Sequence, residues 1–107
     1  MMARVLINVP KTIARNEPFE VKVLISHPME SGQRRDQMGQ TIPRDIIHHL
    51  VATLDGETIL DADLFPAIAA NPFFAFSAVA EKSGTLVLAF TDDHDATQIE
   101  TVAITVT

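Results

Sequence analysis

Apolar positions along this chain recur at every second residue far more often than at every third or fourth, and that spacing predicts β-strands. The cleanest case is residues 19–25, where Phe19, Val21, Val23 and Ile25 share one face while Glu20 and Lys22 sit on the other. Val5, Ile7 and Val9 alternate with Leu6 and Asn8 in the same way until Pro10 closes the run. Residues 46–54 are apolar at nearly every position, as expected of a strand covered on both faces. Asp55 and Gly56 then accept the positive φ of a tight type I′ hairpin turn, and residues 57–61 form the returning strand. Residues 73–80 and 85–91 follow, separated by the turn at 81–84, with Leu86, Leu88 and Phe90 facing the core. A polar turn at 92–95 leads into a last β-branched strand at 98–106. There Ile99 falls out of step with Val102, Ile104 and Val106, and a β-bulge near Glu100 and Thr101 would restore the register.

The pattern therefore gives about seven strands, turns at short intervals, and no convincing helix. Residues 63–70 could form one helical turn or a loop between Pro66 and Pro72. The expected fold is all-β: an immunoglobulin-like antiparallel β-sandwich, here without the Cys…Trp…Cys hallmark of antibody domains. At 107 residues it is one domain, residues 1–107. No run approaches the roughly 18 apolar residues of a membrane helix. The first residues show no apolar stretch of a secretory signal, which fits a cytoplasmic protein or one exported with a partner.

Composition narrows the chemistry. There is no cysteine, so the chain has no disulfide, thiolate metal site or thiol nucleophile of its own. Residues 1–54 carry seven basic groups against five acidic ones, a net of +2, while residues 55–107 carry one against nine, a net of −8. An acidic domain repels phosphate backbones over a screening length of about 8 Å, so nucleic acid is a poor partner. The two-signed surface suits the orientation of a protein partner, or is simply a solvated face.

One segment departs from the strand pattern. Residues 26–39 run Ser-His-Pro-Met-Glu-Ser-Gly-Gln-Arg-Arg-Asp-Gln-Met-Gly, longer than the connections of about 4–6 residues common in sandwiches. With Arg44 nearby, it gathers Arg34, Arg35 and His27. Those arginines either face an anion or pair with Glu30 or Asp36 and order the loop. The four histidines do not form a metal motif. His48 and His49 are adjacent and would point to opposite sheet faces, and His27 and His94 lie in separate turns. His48 or His49 reads better as marking a face that meets a partner. Asp92, Asp93 and Asp95 lack the glycine and bidentate glutamate of a calcium loop and read as a hairpin tip. Ser26 beside His27 is not a triad, and neither a phosphate loop nor a nucleophile elbow is present. The chain therefore reads as a non-enzyme without a cofactor. Ile46, Ile47, Leu50, Val51 and Leu54, with Phe73, Phe74 and Phe76, offer more apolar surface than one two-layer core needs. A second chain is expected to cover one face.

Ala3-Arg4-Val5, Pro10-Lys11, the segment from Leu24 to Gly32 with Arg34-Arg35-Asp36, Pro43 to Ile47, Pro66 to Phe73 and the closing Ile104 to Thr107 carry a resemblance that spans essentially the whole chain. Together they resemble the Z subunit family of the Sox sulfur-carrier complex. That resemblance implies an immunoglobulin-like, non-catalytic subunit without a carrier cysteine. Its partner would be a Y subunit whose arm carries sulfur intermediates of thiosulfate oxidation. It further implies periplasmic location by co-export with that signal-bearing partner and transient encounters with other thiosulfate-oxidation enzymes, and it leaves open whether the isolated chain forms a homodimer. Candidate contacts for the partner or its carrier arm are His27, Met29, Arg34, Arg35 and Arg44 in and near the loop. Ile47, His49, Val51 and Phe73 are the candidates on strands. The other reading is a stand-alone adhesion or chaperone-like sandwich that adds a strand to its clients.

Overall fold

The computed structural model describes residues 4–65 and 70–107. Seven strands run in the order β1 (Arg4–Asn8), β2 (Phe19–Ser26), β3 (Ile47–Leu54), β4 (Glu57–Asp63), β5 (Phe73–Ala78), β6 (Gly84–Asp92) and β7 (Thr97–Ile104). They form two antiparallel sheets, β1-β2-β5 and β4-β3-β6-β7, in the immunoglobulin-like manner. No helix occurs among the described residues. Of the residues 63–70 considered for a helical turn, 66–69 lie outside the described residues, and the rest are not helical, Asp63 being the last residue of β4.

The alternation of β2 becomes one wall of the core. Phe19, Val21, Val23 and Ile25 are buried, and they pack with Leu50, Ala52, Leu86, Leu88 and Phe90 from the second sheet in one apolar cluster. Burial of each large side chain stabilises the fold by about 1.5–3 kcal/mol. β5 and β6, neighbours in sequence, do not pair: β5 joins β2, whereas β6 lies between β3 and β7. The chain thus crosses from one layer to the other at residues 79–83.

The β3–β4 hairpin turns as its sequence requires, with φ of 49° at Asp55 and 83° at Gly56. Gly84 lies so close to this turn that a Cβ there would run into the Asp55 carboxylate. That carboxylate accepts the Thr85 N–H at 2.9 Å, which seats the start of β6 on the hairpin.

Two expectations are corrected. β3 is not covered on both faces: Ile47, Leu50 and Ala52 are buried, while His49, Val51 and Thr53 on the other face are half-exposed. The physical reason is that a two-layer sandwich dries only the inner face of each sheet. β7 carries no bulge. It pairs in unbroken register with β6 from Gly84↔Ile104 to Thr91↔Thr97, and Ile99 faces outward at 62 % exposure. Register shifts fall instead in β3, between Ile47 and His49 against β6 and between Ala52 and Thr53 against β4.

These placements set opposite costs on two similar-looking residues. Leu88→Ala should lower the unfolding free energy by about 2–5 kcal/mol through the cavity it leaves, whereas Ile99→Thr should stay within about 0.5 kcal/mol. Urea denaturation measures both, and a large loss at Ile99 would contradict the unbroken register.

Candidate functional site

The long polar segment is an ordered ribbon. At its root Glu30 and Asp45 exchange backbone hydrogen bonds of 2.8 and 2.9 Å, and further out the Ile42 N–H donates to the Arg34 carbonyl at 2.8 Å. The tip is closed by Asp36, whose Oδ1 accepts the N–H groups of Met38 and Gln40 at 2.9 and 3.0 Å. A short polar side chain that bonds its own backbone a few residues on is what favours aspartate at such turns. Gly39 takes the positive φ of 78° that this closure needs, and Met38 stands 85 % exposed at the tip.

The ribbon is rooted in the sandwich. His27 donates its N–H to the Asn71 side chain at 3.1 Å, and Asn71 returns its own N–H to the His27 carbonyl at 2.8 Å. Met29 adopts φ of 49°, which costs a non-glycine residue about 1–2 kcal/mol. Burial of its thioether, whose sulfur accepts the Ile47 N–H at 3.4 Å, offsets that cost.

Two of the three arginines are neutralised. Arg34 grips Glu30 through Nη2 at 2.6 Å and Nε at 3.0 Å. Arg44 forks onto Asp93 at 2.7 and 2.8 Å, and Asp93 also accepts the Ile46 N–H at 3.1 Å. The Arg34 hydrogen bond holds the Glu30 carboxyl below its ordinary value, and the Arg44 hydrogen bond does the same for Asp93. Both guanidinium groups are raised in turn by those bonds. Asp36 is spent on the tip rather than on an arginine. Arg35 donates to the Gly39 carbonyl at 3.3 Å and has no carboxylate partner among the described residues. Of the two readings of this segment, the ordering one describes Arg34, and the anion-facing one retains only Arg35.

The histidines are arranged differently from their spacing. His27 and His94, apart in sequence, meet at Asp45: their Nε2 atoms lie 3.9 and 3.5 Å from its Oδ1. His27, Asp45 and Asp92 each bring one ring nitrogen or carboxylate oxygen within 4.8 Å of the others', a set with the residue types of a metal centre. The His27 ring does not fit that role. Its Nδ1 accepts the Met29 N–H at 2.9 Å, so the neutral ring carries its proton on Nε2. A ligating imidazole has the reverse arrangement, with Nδ1 donating and Nε2 bare. On β3, the register shift against β6 breaks the strict alternation expected of His48 and His49. His49 lies between Asp61, 3.0 Å from Nε2, and Asp63, 2.8 Å from Nδ1. Asp92 Oδ1 caps the N–H groups of His94 and Ala96, the hairpin tip that the sequence suggested.

Several candidate contact residues have no surface to offer. His27, Met29 and Ile47 are buried, each at 4 % exposure or less, because the ribbon root folds into the core. His49 and Val51 share the outer face of the larger sheet, whereas Phe73 lies on the outer face of the smaller one, on the opposite side of the sandwich. The apolar surplus is also redistributed. Ile46, Ile47 and Leu50 are core residues, and Leu54, Phe74 and Phe76 pack against them. Besides Met38, Phe65, Val79 and Ile99, the exposed large apolar side chains form a row that crosses all three strands of the smaller sheet: Leu6 is the direct partner of Leu24, and Leu24 of Phe73. Their exposures are 60 %, 38 % and 59 %. Leu6 and Leu24 escaped the sequence reading although their parity put both on the outward side of their strands.

Such an arrangement defines a cysteine-free immunoglobulin-like module whose outer surface, rather than an enclosed pocket, is its distinctive feature. Residues 7–103 match the family model of the sulphur oxidation protein SoxZ, and the chain belongs to that family. Membership assigns it a role in sulphur oxidation. Among solved structures it resembles a variant form of superoxide reductase (neelaredoxin) from Ignicoccus hospitalis, with 18 % identity and a TM-score of 0.76, covering 98 % of this chain and 81 % of that one. It also resembles the sulfur carrier protein SoxY from Chlorobium limicola f thiosulfatophilum, with 13 % identity and a TM-score of 0.66 over 96 % of this chain and 78 % of that one. At these identities the likeness concerns the fold. No curated protein matches the sequence.

The Arg44–Asp93 fork makes a signed prediction. A carboxyl whose folded value is lowered stabilises the fold above its unfolded value, and that contribution fades as pH falls through the folded value. Arg44→Met should therefore be less stable than the parent at neutral pH, with the gap closing as pH drops below the ordinary aspartate value of 3.8. Urea midpoints at several pH values test this, and a gap that stays constant would remove the fork as its cause.

Proposed function

We propose that this chain is the non-catalytic half of a heterodimeric sulfur carrier, one domain that binds and presents a cysteine-bearing Y subunit during oxidation of thiosulfate or related sulfur compounds. The observation that carries this reading is the absence of any cysteine from a chain of a sulphur-oxidation family. Sulfur held covalently on a thiol must then sit on another polypeptide. The row Leu6–Leu24–Phe73 supports the docking half of the reading, because it places three apolar side chains side by side on an otherwise polar face. In this reading the heterodimer works in the periplasm, reached together with the signal-bearing partner. Other enzymes of the pathway visit it transiently, and the isolated chain self-associates through the same row. Arg35, the ribbon arginine without a carboxylate among the described residues, is the residue best placed to meet an anionic group on the partner's arm.

Co-expression with a Y subunit should yield a stable heterodimer, with sulfur adducts detected by mass on that subunit alone. Leu24→Asp or Phe73→Asp should weaken the heterodimer by roughly 10- to 100-fold, the equivalent of losing one buried side chain. A chain that remains monomeric beside its Y subunit at micromolar concentration would overturn the proposal. Arg35→Glu should slow turnover of the reconstituted system while leaving heterodimer affinity unchanged, and unchanged turnover would release Arg35 from this role.

A further inference from the structure

Three inward-facing atoms at the root of the ribbon make no hydrogen bond among the described residues: His27 Nε2, Asp45 Oδ1 and Asp92 Oδ2. They come from three different parts of the fold. His27 follows the end of β2 in the smaller sheet, Asp45 belongs to the returning limb of the ribbon, and Asp92 ends β6 in the larger sheet. His27 and Asp92 are each only 1 % exposed. His94, with Nε2 at 3.5 Å from Asp45 Oδ1, stands on the outer side of the group.

The polarity of these atoms specifies what they can hold together. Since the Met29 N–H occupies His27 Nδ1, the ring presents an N–H at Nε2. The other two atoms are carboxylate acceptors. Asp92 has already committed its Oδ1 to two backbone N–H groups, so Oδ2 is the atom it has left. A guest must therefore accept one hydrogen bond and donate two. A divalent cation needs a lone pair at Nε2, and an ammonium group cannot accept. Water does both; His27 Nε2 lies 3.9 Å from Asp45 Oδ1, and the three residues bring polar atoms within 4.8 Å of one another, which suits a guest of that size.

We propose that His27, Asp45 and Asp92 bind a single internal water, which accepts from His27 Nε2–H and donates to the two carboxylates. This water ties both sheets to the root of the ribbon and fixes the direction in which the ribbon leaves the sandwich. The site stands on its own geometry and does not depend on which partner the chain binds.

Nitrogen-15 NMR of the parent chain tests it directly. His27 should be neutral with its proton on Nε2, and that proton should show cross-relaxation with a long-lived water. Asp92→Asn keeps an oxygen for the His94 and Ala96 N–H groups but turns the inward acceptor into a donor. It should abolish the water contact and speed amide exchange at Met29 roughly tenfold. A His27 proton on Nδ1, no long-lived water in the parent chain, or stoichiometric Zn²⁺ or Mn²⁺ uptake that Asp92→Asn removes would each overturn the proposal. The parent-chain spectra decide the matter even if the variant does not fold.

Discussion

Everything in this molecule depends on drying one face of each sheet against the other. Phe19, Val21, Val23 and Ile25 on one side and Leu50, Ala52, Leu86, Leu88 and Phe90 on the other form a continuous apolar layer. Because the sandwich has only two layers, that same burial leaves two outer faces that must be polar, or be covered by something else. The smaller sheet meets the requirement unevenly: Glu20 and Lys22 keep part of its outer face charged, while Leu6, Leu24 and Phe73 make another part apolar. The contrast lies within one face, and it is what separates a surface suited to a partner from a surface suited to water.

The ribbon is the second consequence of the layered design. The chain must pass from β2 in one sheet to β3 in the other, and it does so through a long excursion rather than a tight corner. That excursion is held at its root by Asn71, by the buried Met29 and by the Arg44–Asp93 fork. Each of these reaches a different element, so the ribbon inherits the rigidity of the sandwich although most of its residues are exposed. Its charge is largely internal. Arg34 and Arg44 serve the architecture, and the basic character suggested by composition shrinks to Arg35.

How much of this was legible in the sequence follows from what each signal encodes. The strict alternation of β2 and the Asp55-Gly56 turn are local properties, and both appear in the structure where the pattern placed them. The resemblance to the Z subunit family likewise held over nearly the whole chain. Ile99 misled because parity was inferred by matching it to Val102 and Ile104, whereas the ladder to β6 sets the register and leaves Ile99 in solvent. His27, Met29 and Ile47 were read as contact residues because a polar loop and a strand end ordinarily lie at the surface. Their burial is decided by the ribbon folding back on the core, which no local pattern reports. The row Leu6–Leu24–Phe73 has the same character: adjacency across three strands exists only once the sheet is assembled. The meeting of His27 with Asp45 and Asp92 joins residues far apart in the chain, and their types alone would have suggested a metal.

The two methionines of the ribbon meet oxidants on unequal terms. Met38, at the tip, can become a sulfoxide and expose one more polar group to solvent with little effect on the fold. Met29 has its sulfur against the Ile47 N–H inside the core, where an added oxygen would need room that close packing does not leave. For a chain without thiols, in a family devoted to sulphur oxidation, this shelters the thioether that roots the ribbon and leaves the expendable one outside.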